Sequence, residues 1–395
     1  MRVLCSCLPG FGHFHPMVPL ARALVDAGHE VAFATAPRFC ERVVAPAGVL
    51  AFAAGVSPVV VEEETARLPE VATLGPRDVW PFGAQMFAGV AASRKVGDLV
   101  DLVERWEPAL VVHGAIDFAG PVAAARARVP WVNHGVGALQ PREFWELSAE
   151  VVTPLWREAG VQPGPLGGMF RHLYLDVCPP SFQSPEIGLV PARHPLRPVP
   201  FDTPAGDELP PWVAALPDRP TVYVTLGTIF NAAPGLFETL LDGLREEPFN
   251  VIVTVGHDRD PKELGVQPPN VRVERYIPQS LLFPHCDAVV CHGGSGTVLA
   301  ALSWGLPLLV VPQGANQFWN AERCAELGLG SYLAEADVSP DAVRRHVHTL
   351  LEEPRYRDAA RRVQDEIALM PAPAAAVPQL ERLAESAGEV SPRRG

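Results

Sequence analysis

Short apolar runs alternate with stretches of helical spacing along nearly the whole chain. Residues 3–8 read as a buried strand that stops at the turn Pro9-Gly10-Phe11-Gly12. Pro16 suits the first turn of a helix, where its missing N–H is not needed. Leu20, Ala21, Leu24 and Val25 then recur at helical spacing until Gly28. Further strands are expected at 30–35, 109–112 and 131–134. The second half repeats the pattern, with strands expected at 221–226, 250–255, 271–274, 287–291 and 307–311. Its helices are expected at 235–246, 280–284, 296–304, 316–326 and 340–351. Short apolar strands alternating with helices imply parallel sheets covered on both faces, in two similar α/β units. Between the halves, residues 194–220 are dense in proline and read as a linker. The last residues, 386–395, read as frayed.

Residues 55–95 and 136–185 are less regular. They hold Trp80, Phe82, Met86, Phe87, Phe144, Trp145, Trp156, Met169 and Phe170. Two readings stand open for these side chains: packing beneath long loops, or the wall of an apolar ligand pocket. The length of 395 residues suits two or three domains, and 48% hydrophobic against 19% charged residues excludes a disordered chain. Gly 33 and Pro 43 make up about a fifth of the chain, below the ~25–30% of low-complexity sequence. The net charge of −13 comes with no basic block, which argues against a nucleic-acid partner. No apolar run reaches the ~18 residues of a membrane-spanning helix. The seven cysteines are odd in number and include no CxxC. They read as small buried hydrophobes in a cytoplasmic protein.

The strongest chemical signal lies in His292-Gly293-Gly294-Ser295-Gly296-Thr297, between an expected strand and an expected helix. Glycines let backbone approach a ligand closely. Exposed N–H groups at a helix start, with the positive end of its dipole, form an anion site. Ser295 and Thr297 add hydroxyls, and a phosphate or diphosphate is the natural occupant; a glycine-rich turn taken alone reads equally well as a tight strand-to-helix turn. The segment is not GxxxxGK[ST], and no GxGxxG follows the first strand. A Walker-type NTPase and a nicotinamide dehydrogenase are therefore disfavoured.

This segment, running on to Pro312-Gln313-Gly314-Ala315-Asn316-Gln317, closely resembles the donor signature of GT-B glycosyltransferases that use nucleotide sugars. It is most similar to the bacterial enzymes that decorate polyketide and macrolide natural products. Gly12-His13-Phe14-His15-Pro16 resembles their GHxxP motif. Thr225-Leu226-Gly227-Thr228 resembles their phosphate loop, and Tyr276-Ile277-Pro278-Gln279 the segment that reads the base. The resemblance implies an α/β GT-B architecture: two Rossmann-like β/α/β domains facing across a cleft. The N-terminal domain (1–200) would bind acceptor, and the C-terminal domain (201–370) the nucleotide sugar. A closing segment (371–395) would pack back on the first domain.

The resemblance also implies roles. His13 would be the general base and His15 structural. The acid that holds such a base usually follows a VVx stretch directly. Here Gly114 stands at that position, so Asp117 is the nearest candidate, with a helix-capping role as its alternative. Donor contacts would come from Gly12, Thr228, Ile277, Gln279, His292, Gly294, Ser295, Gly296, Thr297, Asn316 and Gln317. Relatives often carry a carboxylate before the residue matching Gln317, so Asn316 points to a deoxy or amino sugar. Acceptor contacts are expected from Trp80, Phe82, Met86, Phe87, Trp145 and Met169.

The expected reaction is inverting, metal-independent transfer from a nucleotide diphosphate sugar, with dTDP favoured over UDP. The acceptor would be a hydroxyl of an apolar aglycone. No bound cofactor, metal, nucleic acid or membrane partner is expected, and a homodimer stays open. Asp258-Arg259-Asp260 reads as a solvated loop rather than a metal motif. Two alternatives are an epimerase on the same fold and a non-catalytic accessory protein that binds nucleotide sugar.

Overall fold

The computed structural model describes residues 1–74, 78–202, 208–227, 234–256 and 259–390, with side chains to 386. The chain divides into two compact units. The first holds Met1–Cys178, Gln183–Arg197 and Met370–Gly395; the second holds Pro179–Phe182 and Pro198–Leu369.

The first unit is built on seven strands: β1 (Arg2–Ser6), β2 (Glu30–Thr35), β3 (Leu50–Ala53), β4 (Leu110–Gly114), β5 (Trp131–His134), β6 (Leu173–Asp176) and β7 (Arg193–Pro195). Their order is β3-β2-β1-β4-β5-β6-β7, and every pairing is parallel. Val3 stands beside Val31 on one side and Leu110 on the other. Helices cover the sheet, so β4 is buried along its whole length, as an unbroken apolar strand requires. Leu4, Ala32 and Val111 pack with Leu99, Leu102 and Val122 in one cluster. Burial of each large aliphatic side chain contributes roughly 1.5–3 kcal/mol.

The second unit repeats the scheme with β8 (Thr221–Thr225), β9 (Asn250–Thr254), β10 (Val271–Glu274), β11 (Ala288–Cys291), β12 (Leu308–Val310) and β13 (Gly330–Tyr332). Its order, β10-β9-β8-β11-β12-β13, is again all parallel. Val224, Val253, Val290 and Leu309 pack with Leu240, Leu241 and Val343.

Several expectations are corrected. Strands β3, β6, β7 and β13 are absent from the expected set; β3, β7 and β13 lie at sheet edges and are partly exposed, so they lack the unbroken apolar run of a central strand. Pairing with a neighbouring strand, rather than local propensity, makes them strands. Residues 55–95 are largely helical, and 136–185 hold one long helix and the strand β6. They contain Pro58–Ala66, Val79–Ala84, the wide-turned Gln85–Ala91, the start of Ala92–Trp106, and Arg142–Glu158 with Pro154 inside it. That proline hid the last helix, because proline usually breaks one. The proline-dense stretch is not a free linker. Arg193–Pro195 extends the first sheet, and Phe201 and Val213 are buried. Asp202 accepts hydrogen bonds from Ser280 N (2.9 Å) and Ser280 Oγ (2.6 Å).

The final helix, Val377–Val390, belongs to the first unit. Leu380 is buried there, and Glu381 lies 3.0 Å from His29. All seven cysteines are buried and none forms a disulfide. Burial raises Cys7 to about 12, so these groups act as packing atoms.

Gly330 pairs with Leu308 in the second sheet, and a Cβ there would overlap the Leu308 carbonyl. Backbone cannot yield as a flexible side chain can. Gly330→Ala should therefore lose at least the ~1–3 kcal/mol typical of overpacking, read as a lower urea midpoint.

Candidate active site

In each sheet the strand order reverses beside the first strand of the unit: β1 meets β4, and β8 meets β11. Crossover helices leave such a pair toward opposite faces, so a crevice opens at the carboxyl ends of the strands. Residues 12–16 follow β1, Leu226-Gly227 follows β8 and residues 292–297 follow β11, all at these two points; residues 276–279 follow the edge strand β10 and residues 312–317 follow β12.

In the second unit, β11 runs into His292-Gly293-Gly294 and then the helix Ser295–Ser303, with Gly294 as its N-cap. Gly293 holds φ +89°, and a Cβ there would lie 2.6 Å from Val310 Cγ1. At Gly294 a Cβ would lie 2.5 Å from His292 Nε2. Both glycines are thus required by the loop itself. Gly296 differs: it is exposed, and beyond its own helix turn a Cβ there meets no protein atom within 4 Å. His292 is pressed against Gly227 and Gly294. Burial pushes its imidazole down to about 4, so it is neutral at ordinary pH. Gln279 Nε2 donates to Thr297 Oγ1 at 3.3 Å. Thr228 lies outside the described residues.

Two donor residues stand differently from expectation. The Ile277 side chain is buried, 1% exposed, which leaves only its main chain to meet a ligand. Gln317 is also buried, and its Oε1 accepts from Gln313 N (2.7 Å) and Gly314 N (3.2 Å). It fastens its own loop. Asn316 Nδ2 donates to Ser295 Oγ at 2.9 Å, and so reaches the glycine-rich segment. Asn320, missed in the sequence, donates to the same oxygen at 3.2 Å. Its i+4 spacing from Asn316 places both on one face of a helix, a signal available in the sequence.

In the first unit, Gly10 caps the short turn Phe11–Phe14 that carries Gly12 and His13 just beyond β1. Phe14 anchors that turn, edge-on to Phe33 at 4.9 Å. Gly12 is exposed, with open space where a Cβ would stand. The His13 imidazole is half-buried. Burial pushes it down to about 4; Asp117 pulls upward and Lys95 opposes that pull.

Asp117 does not hold His13 by a hydrogen bond among the described residues. Its Oδ2 accepts from Ser6 Oγ (2.6 Å) and Lys95 Nζ (2.7 Å), and its Oδ1 from Ala119 N (3.2 Å). The last bond satisfies a donor at the start of the helix Ala119–Arg126. Burial alone would raise the Asp117 carboxyl, but the charge and hydrogen bond of Lys95, with Ser6, hold it below the usual range. The expected histidine–aspartate contact is therefore replaced by a buried lysine–aspartate pair, 3% and 1% exposed. Lys95 Nζ also donates to Cys7 O at 2.7 Å. Lys95 escaped the sequence reading, although it shares the spacing of Ala92, Leu99 and Leu102 on the buried face of its helix.

The aromatic set divides. Trp145 and Met169 are fully buried, and Trp145 packs edge-on to Phe170 at 4.9 Å. These two are core packing. Trp80, Phe82, Met86 and Phe87 are half-buried on consecutive helical turns and keep surface for a ligand. Asp258 lies outside the described residues. Asp260 caps the turn Pro261–Leu264, accepting from Lys262 N, and Arg259 pairs with Glu238 and Glu263. No group of three His, Cys, Asp or Glu side chains that could hold a metal occurs among the described residues. No described helix is long and apolar enough to cross a membrane.

Two all-parallel units with a glycine-rich helix start at the strand-order reversal define a GT-B glycosyltransferase. Residues 22–227 match the N-terminal domain and residues 238–383 the C-terminal domain of the erythromycin biosynthesis protein CIII-like family; the chain belongs to this family of antibiotic glycosyltransferases. It is 37% identical to L-demethylnoviosyl transferase of Streptomyces niveus, over 95% of this chain and 96% of that protein. Its fold is similar to the glycosyltransferase VinC in complex with dTDP. The TM-score is 0.82 at 29% identity, over 98% of this chain and 100% of that one. It is also similar to the spinosyn rhamnosyltransferase SpnG complexed with spinosyn aglycone. There the TM-score is 0.80 at 28% identity, over 96% and 100%. The protein is thus an enzyme that transfers a sugar from a nucleotide to a natural-product aglycone.

Breaking a buried ion pair from one side leaves a charge without compensation. Lys95→Met should cost about 3–5 kcal/mol in urea unfolding. The double variant Lys95→Met with Asp117→Asn should lose clearly less. Equal losses would show that the Lys95 stem, not its charge, matters.

Proposed function

We propose that the chain performs inverting, metal-independent transfer of a deoxy or amino sugar from a thymidine diphosphate donor to a hydroxyl of an apolar polyketide or aromatic acceptor. One observation carries the reading: the open space at Gly296 in the first turn of the helix Ser295–Ser303. Glycine is poor in a helix by about 1 kcal/mol relative to alanine, and nothing in the protein occupies the room it leaves. An anion brought close to the amides of Ser295, Gly296 and Thr297 accounts for it. The dTDP bound to VinC supports the choice of nucleotide.

In the reaction, His13 in its neutral form takes the proton of the acceptor hydroxyl. The freed oxygen lone pair attacks the anomeric carbon from the side opposite the diphosphate, which inverts the configuration. The bond between that carbon and the diphosphate oxygen breaks, and its electrons pass to the phosphate. The amides at the helix start and the Ser295 and Thr297 hydroxyls stabilise this growing charge. Neutralisation by a positive helix end performs the task that a metal ion would otherwise serve. Trp80, Phe82, Met86 and Phe87 supply apolar surface to the aglycone, as befits the aglycone complex of SpnG. Asn316 presents a carbonyl where relatives often have a carboxylate, which suits a sugar with fewer hydroxyls. Competition between donors tests this: UDP-glucose as the best donor by a wide margin would refute it.

His13→Ala should reduce kcat by roughly 10²–10⁴-fold, the usual worth of a general base, with thymidine diphosphate affinity little changed. A collapse of nucleotide binding would make His13 structural instead. The base is active when unprotonated. With its pKa lowered to about 4, the acid limb of kcat/KM should lie well below the pH 6.5 of an ordinary imidazole. Gly296→Ala should leave the melting temperature equal or higher yet weaken thymidine diphosphate at least tenfold by calorimetry. Unchanged affinity would remove the diphosphate from this helix start.

A further inference from the structure

Ser295 stands in the first turn of the cradle helix, and two side-chain amides converge on its hydroxyl oxygen. Asn316 Nδ2 donates at 2.9 Å and Asn320 Nδ2 at 3.2 Å. The orientation of Asn320 is set independently, because the same Nδ2 donates to Gly293 O at 2.7 Å. A serine hydroxyl has one donor proton and two acceptor positions. Both acceptor positions are filled here by N–H groups. The proton cannot return to either amide nitrogen and is left for a third partner.

We propose that Asn316 and Asn320 are positioning residues that make the Ser295 hydroxyl an obligatory hydrogen-bond donor to the diphosphate of the nucleotide. This rests on the donor reading given above and assigns Asn316 a task beyond any contact with the sugar. The loop is built to hold it there. Gln317 ties Gln313 N and Gly314 N together through Oε1. Ala315, directly before Asn316, sits at φ +52°, a left-handed conformation that an L-residue adopts only when its surroundings hold it there. The chemistry also explains an amide at this position. A carboxylate can only accept, so it would draw the Ser295 proton to itself and turn the hydroxyl away from the phosphate. It would also set a second negative charge beside the ligand.

The test is a double-mutant cycle read by calorimetry with thymidine diphosphate. Ser295→Ala should weaken binding about tenfold or more, as expected for a hydrogen bond to a charged group. Asn316→Asp should weaken it at least as much. Aspartate is favoured at a helix N-cap, so this variant keeps its fold. In the Ser295→Ala background the same Asn316→Asp change should cost at least threefold less, because no hydroxyl remains to be turned. Two results overturn the proposal. One is Asn316→Asp binding as tightly as the unaltered protein. The other is an equal loss with and without the serine oxygen, which would assign the effect to charge alone. Failure of the unaltered protein to bind thymidine diphosphate or uridine diphosphate is a separate outcome, and it removes the donor reading together with this inference.

Discussion

A parallel sheet whose strand order reverses cannot close over the carboxyl ends of the two strands at the reversal. The connections after them leave toward opposite faces, and the main-chain groups between them stay uncovered. Both units of this chain carry that constraint, at β1 with β4 and at β8 with β11. What each unit places in its opening sets its chemistry. The second puts three glycines and a helix start there, which is a surface of N–H groups. The first puts a short turn bearing His13 beside a buried ion pair.

The two openings handle charge in contrasting ways. In the second unit, the positive character comes from main-chain dipoles and a hydroxyl, with His292 kept neutral by burial. Such a site responds weakly to pH, because none of its donors titrates in the physiological range. In the first unit, a full positive and a full negative charge are buried together as Lys95 and Asp117. Their fields at His13 act in opposite senses, so burial decides the basicity of the imidazole. Asp117 is spent on Ser6, Lys95 and a helix start, and it influences His13 only through space.

Hydrogen-bond saturation is the common theme of the polar residues that matter. Asp117 has both oxygens occupied. Gln317 has its oxygen committed to two loop amides. Ser295 has its acceptor positions filled. A hydroxyl whose acceptor positions are filled keeps only its donor proton to offer. Such groups hold a cradle in shape before a ligand arrives, which lowers the cost of binding.

Much of this protein was legible in the residues alone. Apolar strands alternating with helices dictated two parallel sheets, since only strands buried on both faces read as unbroken apolar runs. The glycines around His292 announced a helix start able to meet an anion, because spacing within one loop is a local property. What the sequence could not show was the partner of each polar group. Lys95 and Asp117 lie 22 residues apart, and Asn316 lies 21 residues from Ser295; such meetings exist only once the sheets are assembled. The same holds for Trp145 and Met169. Their composition suited a pocket wall equally well, and only the packing of the helix Arg142–Glu158 against the turn Pro165–Gly168 and the helical segments Val79–Ala84 and Gln85–Ala91 made them core. Local pattern determined the elements and the candidate chemistry, while tertiary packing decided which side chains remained available to perform it.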